Sequence, residues 1–281
     1  NMMKETVDTL GNQKRMNYAL NQPSKEAFIE AVTEGLLPPP AYFGANVRMN
    51  KGGYESFEKV HAQGMTALSP AEFEVAAEVS NALILDARDS GVFSKGHIPQ
   101  SINIGLNGDF APWVGALVID VLQPILLVTA EGKEAETVTR LSRVGFDNVI
   151  GHLGGGFDSW VAAGMEVDTV NRITAQEFAA AHDPRKSVVV DVRKETEYAA
   201  EHVEEAYSKP LAYINDWIKD IQPDQHFFLH CAGGYRSMIA ASILQARGYR
   251  NFSEVEGGFK AISATDVPRT NFMCQSKVMK A

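Results

Sequence analysis

The residues best equipped for chemistry are His230-Cys231-Ala232-Gly233-Gly234-Tyr235-Arg236-Ser237. They lie between an apolar run, Phe227-Phe228-Leu229, and a helical pattern that carries Ile239 and Ile243 on one face. A strand that feeds a helix through a short turn points successive backbone N–H groups at one spot. Such a spot binds anions and stabilises a thiolate. Gly233 and Gly234 let the backbone curl there without a Cβ in the way. Arg236 stands five residues after Cys231 and brings a planar positive charge to the same spot. A cation in the first turn of a helix opposes the helix dipole, which gives Arg236 a functional rather than a structural reason to be there. Tyr235 is expected to shape the mouth of the pocket, Ser237 to complete the loop, and His230 to tune Cys231 from the end of the strand.

The elements around this loop occur twice. Capping boxes, Ser69-Pro70-Ala71-Glu72 and Thr174-Ala175-Gln176-Glu177, mark two helix starts 105 residues apart. Each is followed by an apolar run ending in Asp-x-Arg: Ala82-Leu83-Ile84-Leu85-Asp86-Ala87-Arg88, then Ser187-Val188-Val189-Val190-Asp191-Val192-Arg193. Continuous apolar runs of this length suit buried parallel strands. Eleven residues after each Asp stands a histidine, His97 or His202. A second apolar run, Ile125-Leu126-Leu127-Val128 or Phe227 to His230, leads into a helix. In the first copy that helix has Val138 and Leu141 on one face. The helices end at Gly145 and Gly248, 103 residues apart, in positions suited to a left-handed cap. Each copy closes on Gly-Gly-Phe, at Gly155-Gly156-Phe157 and Gly257-Gly258-Phe259.

Strands alternating with helices predict two tandem α/β domains, each a small, mostly parallel five-stranded sheet flanked by helices. The expected division is 1–64 as an N-terminal helical extension, 65–168 as the first copy and 169–281 as the second. Within the extension, Ser24 to Gly35 reads as one helix, capped by Ser24, with Phe28, Ile29 and Val32 facing inward and Pro38 to Pro40 stopping it. Alone, this segment cannot make a core.

With 281 residues, the chain fits roughly two domains of about 150 residues each. Its 45% hydrophobic and 22% charged residues are those of a globular protein. A net charge of −9 and the lack of a Lys/Arg cluster exclude nucleic acid as the expected partner. No apolar run approaches the roughly 18 residues of a membrane span, and Asn1-Met2-Met3-Lys4-Glu5 shows no secretory signal. Asn1 ahead of Met2 points to a piece of a longer parent. Two cysteines, Cys231 and Cys274, are too few for a disulfide framework or a thiolate metal site, so a reducing, cytoplasmic location is expected. Cys274, among polar residues, reads as incidental. The seven histidines are scattered, so no metal site is expected.

The loop resembles that of the rhodanese family, whose single-domain members carry Cys-x-x-Gly-x-Arg-Ser, matched by Cys231, Gly234, Arg236 and Ser237. The resemblance extends to Asp191-Val192-Arg193, His202 and Gly257-Gly258-Phe259. In the first copy it covers Asp86-Ala87-Arg88, Gly96-His97-Ile98-Pro99, Ser101-Ile102-Asn103 and Gly155-Gly156-Phe157. It spans about 200 of the 281 residues. It implies a sulfurtransferase working by double displacement through a Cys231 persulfide. The donor would be thiosulfate or a low-molecular-weight persulfide, the acceptor cyanide, a thiol or sulfite, and no cofactor would be needed. In the family, Asp191 and Arg193 would brace loops near the site, and His97 and His202 would anchor loops. Cys-x4-Arg distinguishes this loop from the Cys-x5-Arg of cysteine phosphatases, whose extra residue makes room for a phosphate group. A phosphatase or arsenate reductase is therefore the weaker reading, and a non-enzymatic binding or persulfide-carrier module is a third.

The first copy has Thr129-Ala130-Glu131-Gly132-Lys133-Glu134 at this turn, with no cysteine. A hydroxyl is no sulfur carrier, and Glu131 and Glu134 would repel an anion, so this copy is expected to be inactive. Residues Leu10 to Tyr54 resemble the end of a metallo-β-lactamase-fold domain related to persulfide dioxygenases. The resemblance rests on Gly11-Asn12-Gln13-Lys14-Arg15-Met16-Asn17, Pro38-Pro39-Pro40-Ala41-Tyr42-Phe43 and Asn50-Lys51-Gly52-Gly53. It implies such a domain of the same parent as a partner. The metal-binding His-x-His-x-Asp-His run of those enzymes is absent here.

Overall fold

The apolar runs become the central strands of two sheets in the computed structural model, which describes residues 7–33 and 42–273. The first sheet contains β1 (Ala67–Leu68), β2 (Leu83–Asp86), β3 (Ile102–Asn103), β4 (Ile125–Val128) and β5 (Val149–Leu153). The second contains β6 (Arg172–Ile173), β7 (Val188–Asp191), β8 (Tyr207–Ser208), β9 (Phe227–His230) and β10 (Phe252–Val255). Their orders, β1-β5-β4-β2-β3 and β6-β10-β9-β7-β8, are the same, and every pairing is parallel. A parallel sheet needs helices on its faces, and the helix after each strand supplies them. Leu85, Leu127, Val190 and Leu229 are accordingly buried.

Local signals set the element ends. Both capping boxes form, with Ser69 and Thr174 each accepting from the N3 backbone N–H while Glu72 and Glu177 reach back. Gly145 and Gly248 take positive φ angles of 83° and 89°, which a residue with a Cβ adopts at a cost.

The two copies share one core. A single cluster of buried side chains includes Phe110, Leu127 and Leu141 of the first and Leu211, Met238 and Ile239 of the second. The helix Tyr235–Ala246 sits at this junction. Expected to bury one face, it buries every residue from Ser237 to Gln245. The sequence Met238-Ile239-Ala240-Ala241 is apolar on all sides because the helix covers its own sheet and β3 of the first copy. One buried hydrogen bond pins this contact: the Asn103 N–H donates to Ser242 Oγ at 2.9 Å.

Helix Phe57–Gly64 packs on helix Glu134–Ser142 and β5, with Gly64 close against Val138 and Val149. The described residues 7–33 belong to a separate unit. There Ser24 Oγ accepts from the Ala27 N–H, and a helix runs Lys25–Thr33. The expected inward face is not buried: Phe28 and Ile29 are 41% and 47% exposed. The helix Leu10–Met16 and the turn Ala19–Asn21 beside it are short and bury no residue of their own, so they give that face no core to close on. Pro38 to Pro40 and Cys274 lie outside the described residues. Among those residues no helix is long and apolar enough to cross a membrane, and no group of three or more His, Cys, Asp or Glu could hold a metal ion.

Replacing Ser242 with Ala leaves the Asn103 N–H buried without an acceptor. It should cost about 1–3 kcal/mol of unfolding free energy, read from the shift in denaturant midpoint.

Candidate active site

Cys231 follows β9 directly and is 1% exposed. Its Sγ accepts from the Gly234 N–H at 3.1 Å and lies 3.3 Å from Ser237 Oγ. Gly234 is the N-cap of helix Tyr235–Ala246 and has φ 102°. That angle aims its N–H back at the sulfur, and an added Cβ would meet the Arg172 guanidinium at 3.1 Å. Tyr235, Arg236 and Ser237 occupy the first turn, where helix geometry leaves the N–H groups without intrahelical acceptors. Ala232 and Gly233 form the outer, more accessible side of the loop.

The Gly-Gly-Phe turn clamps this loop from behind. The Phe259 N–H donates to the Cys231 carbonyl at 2.6 Å, and the Lys260 N–H donates to Ala232 O at 3.0 Å. Gly258, at φ 55°, lies so close that a Cβ would stand 2.4 Å from the Cys231 carbonyl oxygen. The Phe259 ring in turn supports Arg193, whose guanidinium lies 4.0 Å from its centroid. Arg193 is locked by Asp191 (2.6 to 3.0 Å) and by Glu201 O (2.8 Å). His230 Nδ1 lies 3.2 Å from the Cys231 carbonyl oxygen and 4.0 Å from Asp191 Oδ1. Burial lowers the His230 pKa, against the Asp191 charge, so the ring is neutral; its buried Nε2 has no partner. His230 meets the loop at the Cys231 carbonyl, and Asp191 and Arg193 support it indirectly, through the Phe259 ring.

The expected anion-facing Arg236 is already paired. Its Nη1 and Nη2 donate to the two carboxylate oxygens of Glu197 at 2.6 and 2.9 Å. This partner, from helix Glu195–Ala200, raises the Arg236 pKa. Tyr235 does not line the mouth. Its hydroxyl donates to Gly105 O of the first copy at 2.8 Å, and its ring rests on Gly108, where a Cβ would overlap it. Glu197, Arg172, Glu254 and the Gly105–Gly108 docking site carry no signal in the sequence. A charge partner 39 residues from Arg236, or one 82 residues away between Arg172 and Glu254, leaves no local pattern.

In the first copy Thr129 follows β4 as Cys231 follows β9, and its hydroxyl donates to Glu134 at 3.1 Å. The braces are repeated all the same: Arg88 binds Asp86 and Gly96 O and lies 4.2 Å over Phe157. His97 and His202 stack on Phe93 and Tyr198 and bond the carbonyls of those same residues.

The family model of the rhodanese-like domain matches residues 69–163 and again 174–265. The chain belongs to that family. It is 32% identical over 88 residues to the uncharacterized protein YqhL of Bacillus subtilis, a match covering 31% of this chain and 68% of YqhL. It is also 32% identical over 84 residues to the thiosulfate sulfurtransferase GlpE of Pseudomonas fluorescens, covering 30% of this chain and 77% of GlpE. A tRNA uridine(34) hydroxylase of Pectobacterium atrosepticum is 30% identical over 112 residues, but the match spans only 31% of that protein and 35% of this chain. Among solved structures, a rhodanese-like domain protein of Staphylococcus aureus is 28% identical, with 33% of this chain and 91% of that chain covered at a TM-score of 0.30.

The two rhodanese-like copies provide an internal comparison for the clamp. Gly156 also has positive φ, 64°, but its nearest neighbour is the Thr129 carbonyl oxygen at an ordinary 3.7 Å. Gly156→Ala should cost about 1–2 kcal/mol for the left-handed backbone alone. Gly258→Ala adds the overlap with Cys231, about 1–3 kcal/mol more. Paired denaturation curves of the two variants check this difference.

Proposed function

We propose that the second rhodanese-like domain is a sulfurtransferase that carries a sulfane sulfur on Cys231. The observation behind this reading is the sulfur's placement at a helix N-terminus, bonded by the Gly234 N–H in a Cys-x4-Arg loop. The Cys231 thiolate attacks the outer sulfur of thiosulfate or of a low-molecular-weight persulfide. The donor's S–S bond breaks, and sulfite or a thiolate leaves with the electron pair. Cys231 is left as a persulfide, its terminal charge held by the first-turn N–H groups of Tyr235, Arg236 and Ser237. Cyanide, a thiol or sulfite then attacks the terminal sulfur and returns the Cys231 thiolate.

Each other site residue has a part in this cycle. Ala232 and Gly233 frame the entrance, Gly234 and Ser237 hold the sulfur, and Arg236 rigidifies the mouth through Glu197. Because that carboxylate offsets the guanidinium charge, a persulfide of low charge suits the loop better than the thiosulfate dianion. His230, Asp191 and Arg193 are supports. The similarity to a thiosulfate sulfurtransferase favours the same chemistry. The near-complete burial of Cys231 favours a second reading, a persulfide-carrier or binding module whose sulfur is reached only when a partner docks. Through the resemblance of Leu10 to Tyr54, a metallo-β-lactamase-type domain of the same parent is the partner of that reading. A reducing, cytoplasmic setting suits the free thiol.

Protein incubated with thiosulfate, or separately with glutathione persulfide, should gain the mass of one sulfur atom. Cyanide should remove it, and Cys231→Ser should never acquire it. No gain from either donor would contradict the transferase and leave the carrier module.

A further inference from the structure

Behind Cys231 lies a charged pair that the sulfur-transfer cycle does not use. Glu254, on β10, is fully buried, yet its Oε1 accepts from Ser237 Oγ at 2.6 Å. Its Oε2 accepts from Arg172 Nε, on β6, at 2.7 Å. Ser237 Oγ also lies 3.3 Å from Cys231 Sγ. A serine hydroxyl has one proton, and the short contact to a carboxylate claims it. The hydroxyl oxygen is then the acceptor for the thiol proton. The three groups form a line, Sγ to Oγ to Oε1.

The first copy serves as a control within the same chain. In the register between the outer strands, Glu254 stands opposite Arg172, and His152 stands opposite Ala67. Where Thr129 replaces the cysteine, the buried carboxylate and its arginine are both missing. Burying a carboxylate is costly, and at this strand position the fold accepts that cost only in the copy that has the cysteine.

We propose that Glu254, acting through the Ser237 hydroxyl, is the proton acceptor that turns the Cys231 thiol into the reacting thiolate. The inference rests on the reading of Cys231 as the nucleophile. In the step the Sγ–H bond breaks as an Oγ–H bond forms, and the original Oγ–H proton passes to Oε1. The thiolate then accepts from Ser237 and from the Gly234 N–H, and protonated Glu254 donates to Ser237. The two hydrogen bonds of the relay survive with their directions reversed, the Gly234 N–H keeps donating to the sulfur, and no oxidant or further reactant enters. Burial raises the proton affinity of Glu254, with Arg172 opposing it, as the step requires.

The other charges facing this line are accounted for. On the helix Tyr235–Ala246 stands Arg236, paired with Glu197 of helix Glu195–Ala200. From β7 and β9 come Asp191, paired with Arg193, and neutral His230. Just past β10, Glu256 lies 3.4 Å from Arg172. These remain in place when Glu254 or Ser237 is changed.

The test is the rate of Cys231 alkylation by iodoacetamide as a function of pH, read by intact mass on the full chain, with circular dichroism to check folding. Glu254→Gln keeps the shape and removes the base. Its profile midpoint should rise by about one pH unit, making the reaction about tenfold slower at neutral pH and equal to the parent at alkaline pH. Ser237→Ala should show the same rise, and the double variant no further rise. An unchanged or lowered midpoint in either folded variant overturns the relay; if Glu254→Gln does not fold, Ser237→Ala decides alone. Alkylation needs no sulfur donor, so the two proposals fail separately. A parent protein that takes up no sulfur but shows these shifts keeps the relay and loses the transferase. One that takes up sulfur without the shifts does the reverse.

Discussion

The hydrogen bond from the Phe259 N–H to the Cys231 carbonyl fixes where the sulfur can be. It is short, 2.6 Å, and it is possible only because Gly258 has no Cβ to strike the same carbonyl. With the carbonyl held, the chain must turn at Gly233-Gly234 to enter its helix, and the Gly234 N–H is left facing Sγ. The support continues outward in layers. Phe259 carries Arg193, Arg193 is bound by Asp191, and Asp191 ends β7 beside His230 of β9. A loop with few contacts of its own thus inherits the rigidity of the sheet.

The first copy keeps this frame without the cysteine. Asp86, Arg88 and Phe157 repeat the brace around Thr129, which is bound to Glu134 rather than presented to a ligand. Its contribution to the site is mechanical. β3 covers the helix that begins in the cysteine loop, Asn103 bonds Ser242, and Gly105 and Gly108 accept the Tyr235 ring and hydroxyl. Tyr235 is the residue next to the N-cap, so a shift between the copies would be felt at Gly234. This explains in physical terms why a copy without a nucleophile accompanies one that has it.

Features encoded within a few residues were legible in the sequence. The capping boxes at Ser69 and Thr174, the strands ending in Asp86 and Asp191, the left-handed glycines and the cysteine loop all follow from short patterns, and their repetition revealed the two domains. Features that depend on distant pairing were not. Arg236 read as a free cation because Glu197 lies 39 residues away, and Tyr235 read as a pocket residue because Gly105 lies 130 residues away. Phe28 and Ile29 read as a buried face because an amphipathic helix implies a surface to cover it, yet among the described residues both side chains stay exposed. Glu254 gave no signal, since a carboxylate inside an apolar strand becomes meaningful only when Ser237 and Arg172 are seen on either side of it.

We propose that this frame serves to hold a sulfur atom at the helix N-terminus. A crystal structure of the protein treated with glutathione persulfide tests it most directly. The account predicts one additional sulfur bonded to Cys231 Sγ, within hydrogen-bond distance of the first-turn N–H groups of Tyr235, Arg236 and Ser237. An unmodified Cys231, or a bound sulfur turned away from those N–H groups, would contradict it.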